Sequence, residues 1–435
     1  MPPLTQPSNP DYPVLTHAVT MAVSREQVET MIVEPFRWLP PIAANLSRSH
    51  AAVDVSYFRK GDFVQSVRWM FDRCRTGIAV SIRNKKLELF VPFCNPHYIN
   101  TWSEQARREV PKGMLPADRW WANGWTLCGD YVSEQLWGDQ GVCAIQNMIM
   151  VACERGEVAD CDFIINKRDS ACVRRDFCDA MNPMDPFQCP QPRPSLVPVL
   201  SCYTGNQFAD IAMPLPCDWH RLSRGAFNGQ KPLPPVQLPK EVKWETKHDC
   251  AIFRGSLTGT GGSRFTNQRI ALLHMHDGQN FDLRGTGTCQ RFRRCPVEKR
   301  IVLPDARGLS VGRQHFMPLW KQQESYRYAV TIDGHSGADR LASLIGGNQC
   351  ILKIGSPNHV LCPDTWASER LFAWEHYLPV SAQMTDLHLR LQWARRHPEV
   401  CKTLRDNCAR WAATERQRII QWWVNVTQAM SRIHL

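Results

Sequence analysis

The groups best suited to chemistry in this chain are a few acids and arginines set beside strand ends and glycine-rich turns. Asp169 closes the run Asp162-Phe163-Ile164-Ile165-Asn166-Lys167-Arg168-Asp169, which reads as an apolar strand ending in charge. In an open α/β sheet the carboxyl ends of strands face the ligand crevice, so a carboxylate there is presented to a site. A capping Asp on the next turn fits the same pattern equally well. Asp160 and Asp162 form an Asp-x-Asp triplet that could carry a divalent cation, although it precedes the strand instead of ending it. Arg254, Arg264 and Arg269 surround a loop of Gly, Ser and Thr, and Arg340 follows the turn Asp333-Gly334-His335-Ser336-Gly337. Guanidinium forks beside helix N-termini suit a diphosphate. Surface turns with solvent-facing arginines fit those residues too.

Positioning these groups requires regular elements, and the hydrophobic pattern supplies them. Ala251-Ile252-Phe253 reads as a strand entering the loop, and Thr266 as the cap of a helix carrying Ile270, Leu272 and Leu273. Residues 326–332 read as a strand, 338–345 as a helix stopped by Gly346-Gly347, and 350–354 as a returning strand, which together make a βαβ unit. Upstream, 78–82 and 87–91 form a hairpin about Asn84-Lys85-Lys86, and 142–155 has helical spacing. Val197 to Leu200 is a further short strand. Leu404, Cys408, Trp411, Ile419, Trp422 and Val426 mark one buried face of a helical end. Trp120, Trp121, Trp125 and Trp137 suit core and interface packing better than an acceptor platform.

The loop after Phe253 lacks the Gly-Lys-Ser/Thr of a Walker motif and a complete dinucleotide fingerprint, which disfavours an ATPase or an NAD enzyme. A length of 435 residues accommodates two ordinary domains, and a net charge of +11 implies an anionic partner. The basic residues are dispersed, with short clusters such as Arg291-Phe292-Arg293-Arg294, so no specific nucleic-acid module is expected. Eighteen cysteines lack the spacings of a disulfide framework or zinc module and read as reduced, buried small residues. Neither a signal peptide nor a membrane-spanning apolar run is evident, which points to the cytoplasm.

Taken in order, several stretches resemble glycosyltransferase family 90, the capsule-associated-protein type that includes protein O-glucosyltransferases and β-xylosyltransferases. They are FIINKRD ending at Asp169, DIAMP from Asp210, FRGS over 253–256, YRYAVTIDGHSGADR ending at Arg340, CILK ending at Lys353, and WEHYLPV followed by Thr385-Asp386-Leu387. The resemblance implies an α/β fold of two Rossmann-like domains facing a cleft, the GT-B type, with a final helix crossing back to the N-terminal domain. The corresponding divisions are a tail over 1–20, a base-bearing domain over 21–231, a Pro-rich linker over 232–240, a donor domain over 241–402 and the crossing helix over 403–435. It further implies an inverting transferase moving glucose or xylose from a UDP-sugar to a hydroxyl of a glycan or protein, with no metal and no other cofactor. Asp169 falls on the family's catalytic base. The donor is expected to be held by Arg254, Gly255, Ser256, Thr258, Arg264 and Arg269 in the first loop, by Asp333, Gly334, Ser336 and Arg340 in the second, and by Lys353. Family members normally work in the secretory pathway, so the lack of a signal peptide suggests a cytosolic variant such as large DNA viruses encode. The alternatives are a metal-dependent transferase using Asp160 and Asp162, and an inactive nucleotide-sugar-binding protein.

Overall fold

Among the described residues two five-stranded sheets carry the chain, and the second sets up the candidate site. The computed structural model describes residues 53–58, 61–74, 76–94, 137–167, 171–175, 195–222, 242–259, 264, 267–287, 309–334, 336–357 and 362–434. Those residues belong to one compact unit, 51–435. Asp169, His335, the tail over 1–20, the Arg291–Arg294 cluster, Trp120, Trp121, Trp125 and the linker over 232–240 lie outside the described residues.

Helix α1 (Phe63–Trp69) precedes the hairpin β1 (Thr76–Arg83) and β2 (Lys86–Cys94). The hairpin turns where the sequence places it, with Asn84 and Lys85 at φ 50° and 61°, the left-handed pair that a two-residue turn between right-twisted strands requires. Helix α2 (Trp137–Glu154) leads into β3 (Cys161–Asn166), followed by β4 (Val199–Ser201), β5 (Tyr203–Thr204), β6 (Ile211–Ala212) and helix α3 (Pro216–Leu222). The first sheet runs β2-β1-β3-β4-β6, antiparallel in the hairpin half and parallel from β3 to β6.

The second sheet begins with β7 (His248–Ser256), helix α4 (Gln268–Leu273) and β8 (Phe281–Gly287). Helix α5 (Leu319–Ser325), β9 (Tyr326–Thr331), helix α6 (Arg340–Ile345) and β10 (Cys350–Ile354) follow, then β11 (Asp364–Thr365) and β12 (Leu378–Val380). Its order is β12-β10-β9-β7-β8 and every pairing is parallel. Parallel strands need helical crossovers, which cover both faces, so β7, β9 and β10 are apolar runs without alternation. The chain adds β8 on one side of β7 and β9 on the other. The carboxyl ends of β7 and β9 therefore flank the point where strand order reverses, where open α/β sheets bind ligands.

Three helices finish the chain: α7 (Leu387–Arg396), α8 (Pro398–Ala413) and α9 (Glu415–His434). The apolar stripe read as one helical end is buried as expected but is split between α8 and α9 at Thr414, where the α8 hydrogen bonds close. Helix α9 packs on the first sheet. Trp423 meets Phe163 of β3 at 6.0 Å between ring centroids, and the Thr427 hydroxyl accepts from the Ala159 N–H at 3.2 Å. A second tie is the antiparallel ribbon of β5 with β11. Among the described residues no helix is long and apolar enough to cross a membrane.

Candidate functional site

Pleating sends Phe253 and Gly255 to one face of β7 and Arg254 to the other. Arg254 is buried and donates from Nη1 to the Phe253 carbonyl at 2.9 Å and the Asp282 carbonyl at 2.7 Å, and from Nη2 to Asp282 Oδ2 at 2.5 Å. Asp282 also accepts from the Tyr326 hydroxyl at 2.7 Å and Arg284 Nε at 2.8 Å. Burial works against the Asp282 carboxylate, but these hydrogen bonds hold it below its ordinary range. Arg254 thus laces β7 to β8, with its guanidinium engaged inside the fold.

Arg269, in the first turn of α4, clasps the two loops that flank the reversal point. It donates from Nη1 to the Ser256 carbonyl at 3.0 Å, from Nε to the Asp333 carbonyl at 3.0 Å and from Nη2 to the Ile332 carbonyl at 3.2 Å. The cap of α4 is Asn267, one residue beyond the expected Thr266, and its Oδ1 accepts from the N–H groups of Arg269 and Ile270. Gly334 lies against the clasp: a Cβ there would sit 2.6 Å from Thr258 Oγ1 and 3.2 Å from Arg269 Nη2, so those side chains would have to shift.

The second loop folds around Asp333. Its Oδ1 accepts from Ala338 N at 2.8 Å and its Oδ2 from the Ser356 hydroxyl. Within that loop Gly334 N donates to the carbonyl of buried Ser336 at 3.0 Å, and Gly337 N donates to the Cys362 carbonyl at 2.8 Å. Arg340 then opens α6, two residues later than the sequence pattern suggested. Its Cζ lies 5.2 Å from the centroid of the Phe253 ring, and Arg269 Cζ lies 5.9 Å from the same ring. Among the described residues Arg340 has no hydrogen-bond or ion-pair partner. Burial, with the charge of Arg269 second, pushes its guanidinium down to about 10, so it still carries its proton at neutral pH.

Ser256, Thr258, Arg269, Asp333, Gly334 and Arg340 thus converge at the carboxyl ends of β7 and β9. Arg264 is exposed. Lys353 lies one strand further, on β10, with Nζ 5.4 Å from the Tyr377 ring centroid. It lines a small crevice with Thr331, Asp333, Thr365 and Ser368.

At the carboxyl end of β3, the structure describes the two flanks of the short stretch that contains Asp169. Asn166 Nδ2 donates to Ser201 Oγ at 3.0 Å, and Ser201 Oγ donates to Asp210 Oδ1 at 2.5 Å. On the far flank, Cys172 N and Val173 N donate to Asp210 at 2.8 and 2.6 Å. Burial raises the Asp210 carboxyl even against these bonds. In the sequence Asp210 stands out only within DIAMP, because its backbone partners Cys172 and Val173 lie far upstream. At the other end of β3, Asp160 accepts from Asn84 N at 2.9 Å and Lys85 N at 3.0 Å, while Asp162 pairs with Arg83 at 2.7 Å. The triplet's carboxylates therefore brace the hairpin turn.

Comparison with known proteins gives a consistent match. The glycosyl transferase family 90 model matches residues 141–434. The chain is 28% identical over 78% of its length to uncharacterized protein 035R of invertebrate iridescent virus 3, and 27% identical over 77% to uncharacterized protein 027R of frog virus 3. It is 25% identical over 48% of its length to human protein O-glucosyltransferase 3. The matches cover 33%, 38% and 37% of those relatives, so the chain spans about a third of their length.

Proposed function

Since the chain belongs to glycosyl transferase family 90, we propose that it moves a sugar, glucose or xylose, from a UDP-sugar to a hydroxyl of a glycan or protein acceptor. The observation that carries this reading is Arg340: a charged guanidinium without a polar partner among the described residues, held where strand order reverses in a parallel sheet. A diphosphate supplies the missing partner. Ser256, Thr258 and the turn around Asp333 line its approach, and Arg269 adds positive charge while keeping the loops together.

In the proposed reaction Asp169 removes the acceptor's proton as the oxygen attacks the anomeric carbon, an aid worth roughly 10²–10⁴-fold. The bond to UDP breaks in the same displacement, which inverts the anomeric centre, and Arg340 meets the charge that grows on the leaving phosphate. The Asp210 network fixes the flanks of the Asp169 stretch, and so assists the base without touching substrate. The two sheets are read as the cores of the two domains of a GT-B arrangement, and no metal is required. A panel of UDP-sugars, screened for UDP release and for thermal stabilisation, tests the reading. Release with one donor supports it. Stabilisation without turnover on any acceptor would favour an inactive binding protein, and activity lost to EDTA and restored by Mn²⁺ would favour the metal-dependent alternative.

A further inference from the structure

We infer that Phe253 is a positioning residue for the donor: its ring holds the Arg340 guanidinium in place while leaving the guanidinium's N–H donors free for the diphosphate. This rests on the donor site proposed above. An arginine aimed at a ligand must be held by something, and the usual means, a carboxylate or a row of carbonyls, would consume the donors needed for binding. Arg269 shows that outcome, with three of its N–H groups committed to backbone carbonyls. Arg340 differs, because its one described contact of this kind is with an aromatic ring, whose negative face attracts a cation without taking a hydrogen bond.

The ring itself is locked. Phe253 is buried, and Gly255 lies so close against it that an added Cβ would sit 2.7 Å from Cζ and within 3.4 Å of both Cε atoms. The motif Phe-Arg-Gly-Ser then acquires a physical reading. Its glycine makes room for the ring, the ring carries a guanidinium from the β9–α6 unit, and the arginine ties β8. Two like charges on one ring repel, and Arg269 contributes to the lowered affinity of Arg340 for its proton. Bringing them together is unfavourable until an anion arrives, so the arrangement favours binding of a multiply charged phosphate.

The test replaces Phe253 by phenylalanines carrying one, two and three ring fluorines, which drain the π face at nearly constant shape, and measures UDP and uridine affinity in the full chain. Arg340→Met is the control. Freeing one long side chain to wander should weaken UDP by about three- to tenfold across the series, with uridine affinity unchanged because it lacks the diphosphate. Phe253→Leu should show the same selective loss, and in the double variant with Arg340→Met the two effects should fall well short of adding. If Phe253→Leu does not fold, the fluorinated series decides alone. Constant UDP affinity across that series, with Arg340→Met still weakening UDP, would overturn the role of the ring. Unchanged UDP affinity in Arg340→Met would remove the donor-site reading, and this inference with it.

Discussion

Arg340→Met should make the unliganded protein more stable while impairing donor binding. The methionine keeps an apolar stem of similar reach and deletes a partly buried charge that lacks a hydrogen-bond or ion-pair partner among the described residues. A guanidinium pushed from its ordinary value down to about 10 carries on the order of 3 kcal/mol of unrelieved desolvation and repulsion. That figure is a ceiling, because the Phe253 ring offsets part of it and solvent relaxes the rest; a gain of roughly 1–2 kcal/mol is expected. In a domain this large such a gain raises Tm by only about 2–4 °C. The opposite sign applies to UDP, for which losing one member of a desolvated charge pair costs roughly 2–5 kcal/mol, or about 30-fold or more in Kd. Chemical denaturation without ligand and calorimetric titration with UDP together read both quantities. A variant less stable than wild type by more than about 1 kcal/mol, with unchanged UDP affinity, would show that Arg340 serves the fold and not the ligand.

Asp169→Asn should keep UDP binding and lower turnover by at least about a hundredfold; near wild-type turnover would remove Asp169 from the mechanism. Activity should survive excess EDTA. The Asp160→Ala, Asp162→Ala double variant should lose a few degrees of Tm through the hairpin it unbraces, yet keep turnover per folded molecule, and a dead but folded protein would refute that division. His376 is buried with its Nδ1 accepting from Phe372 N at 3.1 Å, and burial, aided by Arg418, pulls it down to about 4. Its folded value lies below its unfolded one, so its contribution is complete above about pH 6.5 and is lost as pH falls toward 4, a change of roughly 3 kcal/mol at most. Denaturation series at pH 7 and pH 4 should show His376→Gln losing less stability than wild type across that interval, and parallel losses would sink the assignment.

Much of the fold was legible because local signals coincided. The hairpin announced itself through its Asn84-Lys85 turn, and the unit over 326–354 through an apolar run, a glycine turn and a glycine stop. The side to which Arg254 points was not legible. Both faces of β7 are covered, so its apolar run carries no phase from which to tell which residues share a face. The α4 cap falls one residue beyond Thr266, because Thr266 and Asn267 are both competent caps and no local pattern separates them. The break at Thr414 has neither proline nor glycine, so one amphipathic stripe concealed two helices. Asp210 gives no local sign of its role, since Cys172 and Val173 reach it only through the fold. The β5–β11 ribbon is likewise invisible in sequence: two dipeptides far apart in the chain have no pattern of their own.

The packing of α9 on β3 also constrains how the protein can be made. Synthesis from the N-terminus delivers β1 to β6 long before residues 415–434, so the first sheet must wait without the Trp423 contact to Phe163 while the entire second sheet is translated. The second sheet draws β7 to β10 and β12 from one later stretch, interrupted among the described strands only by β11, which returns to pair with β5, so it can assemble as it emerges. A chain truncated after residue 414 should therefore keep a protease-resistant second sheet and a protease-sensitive first one.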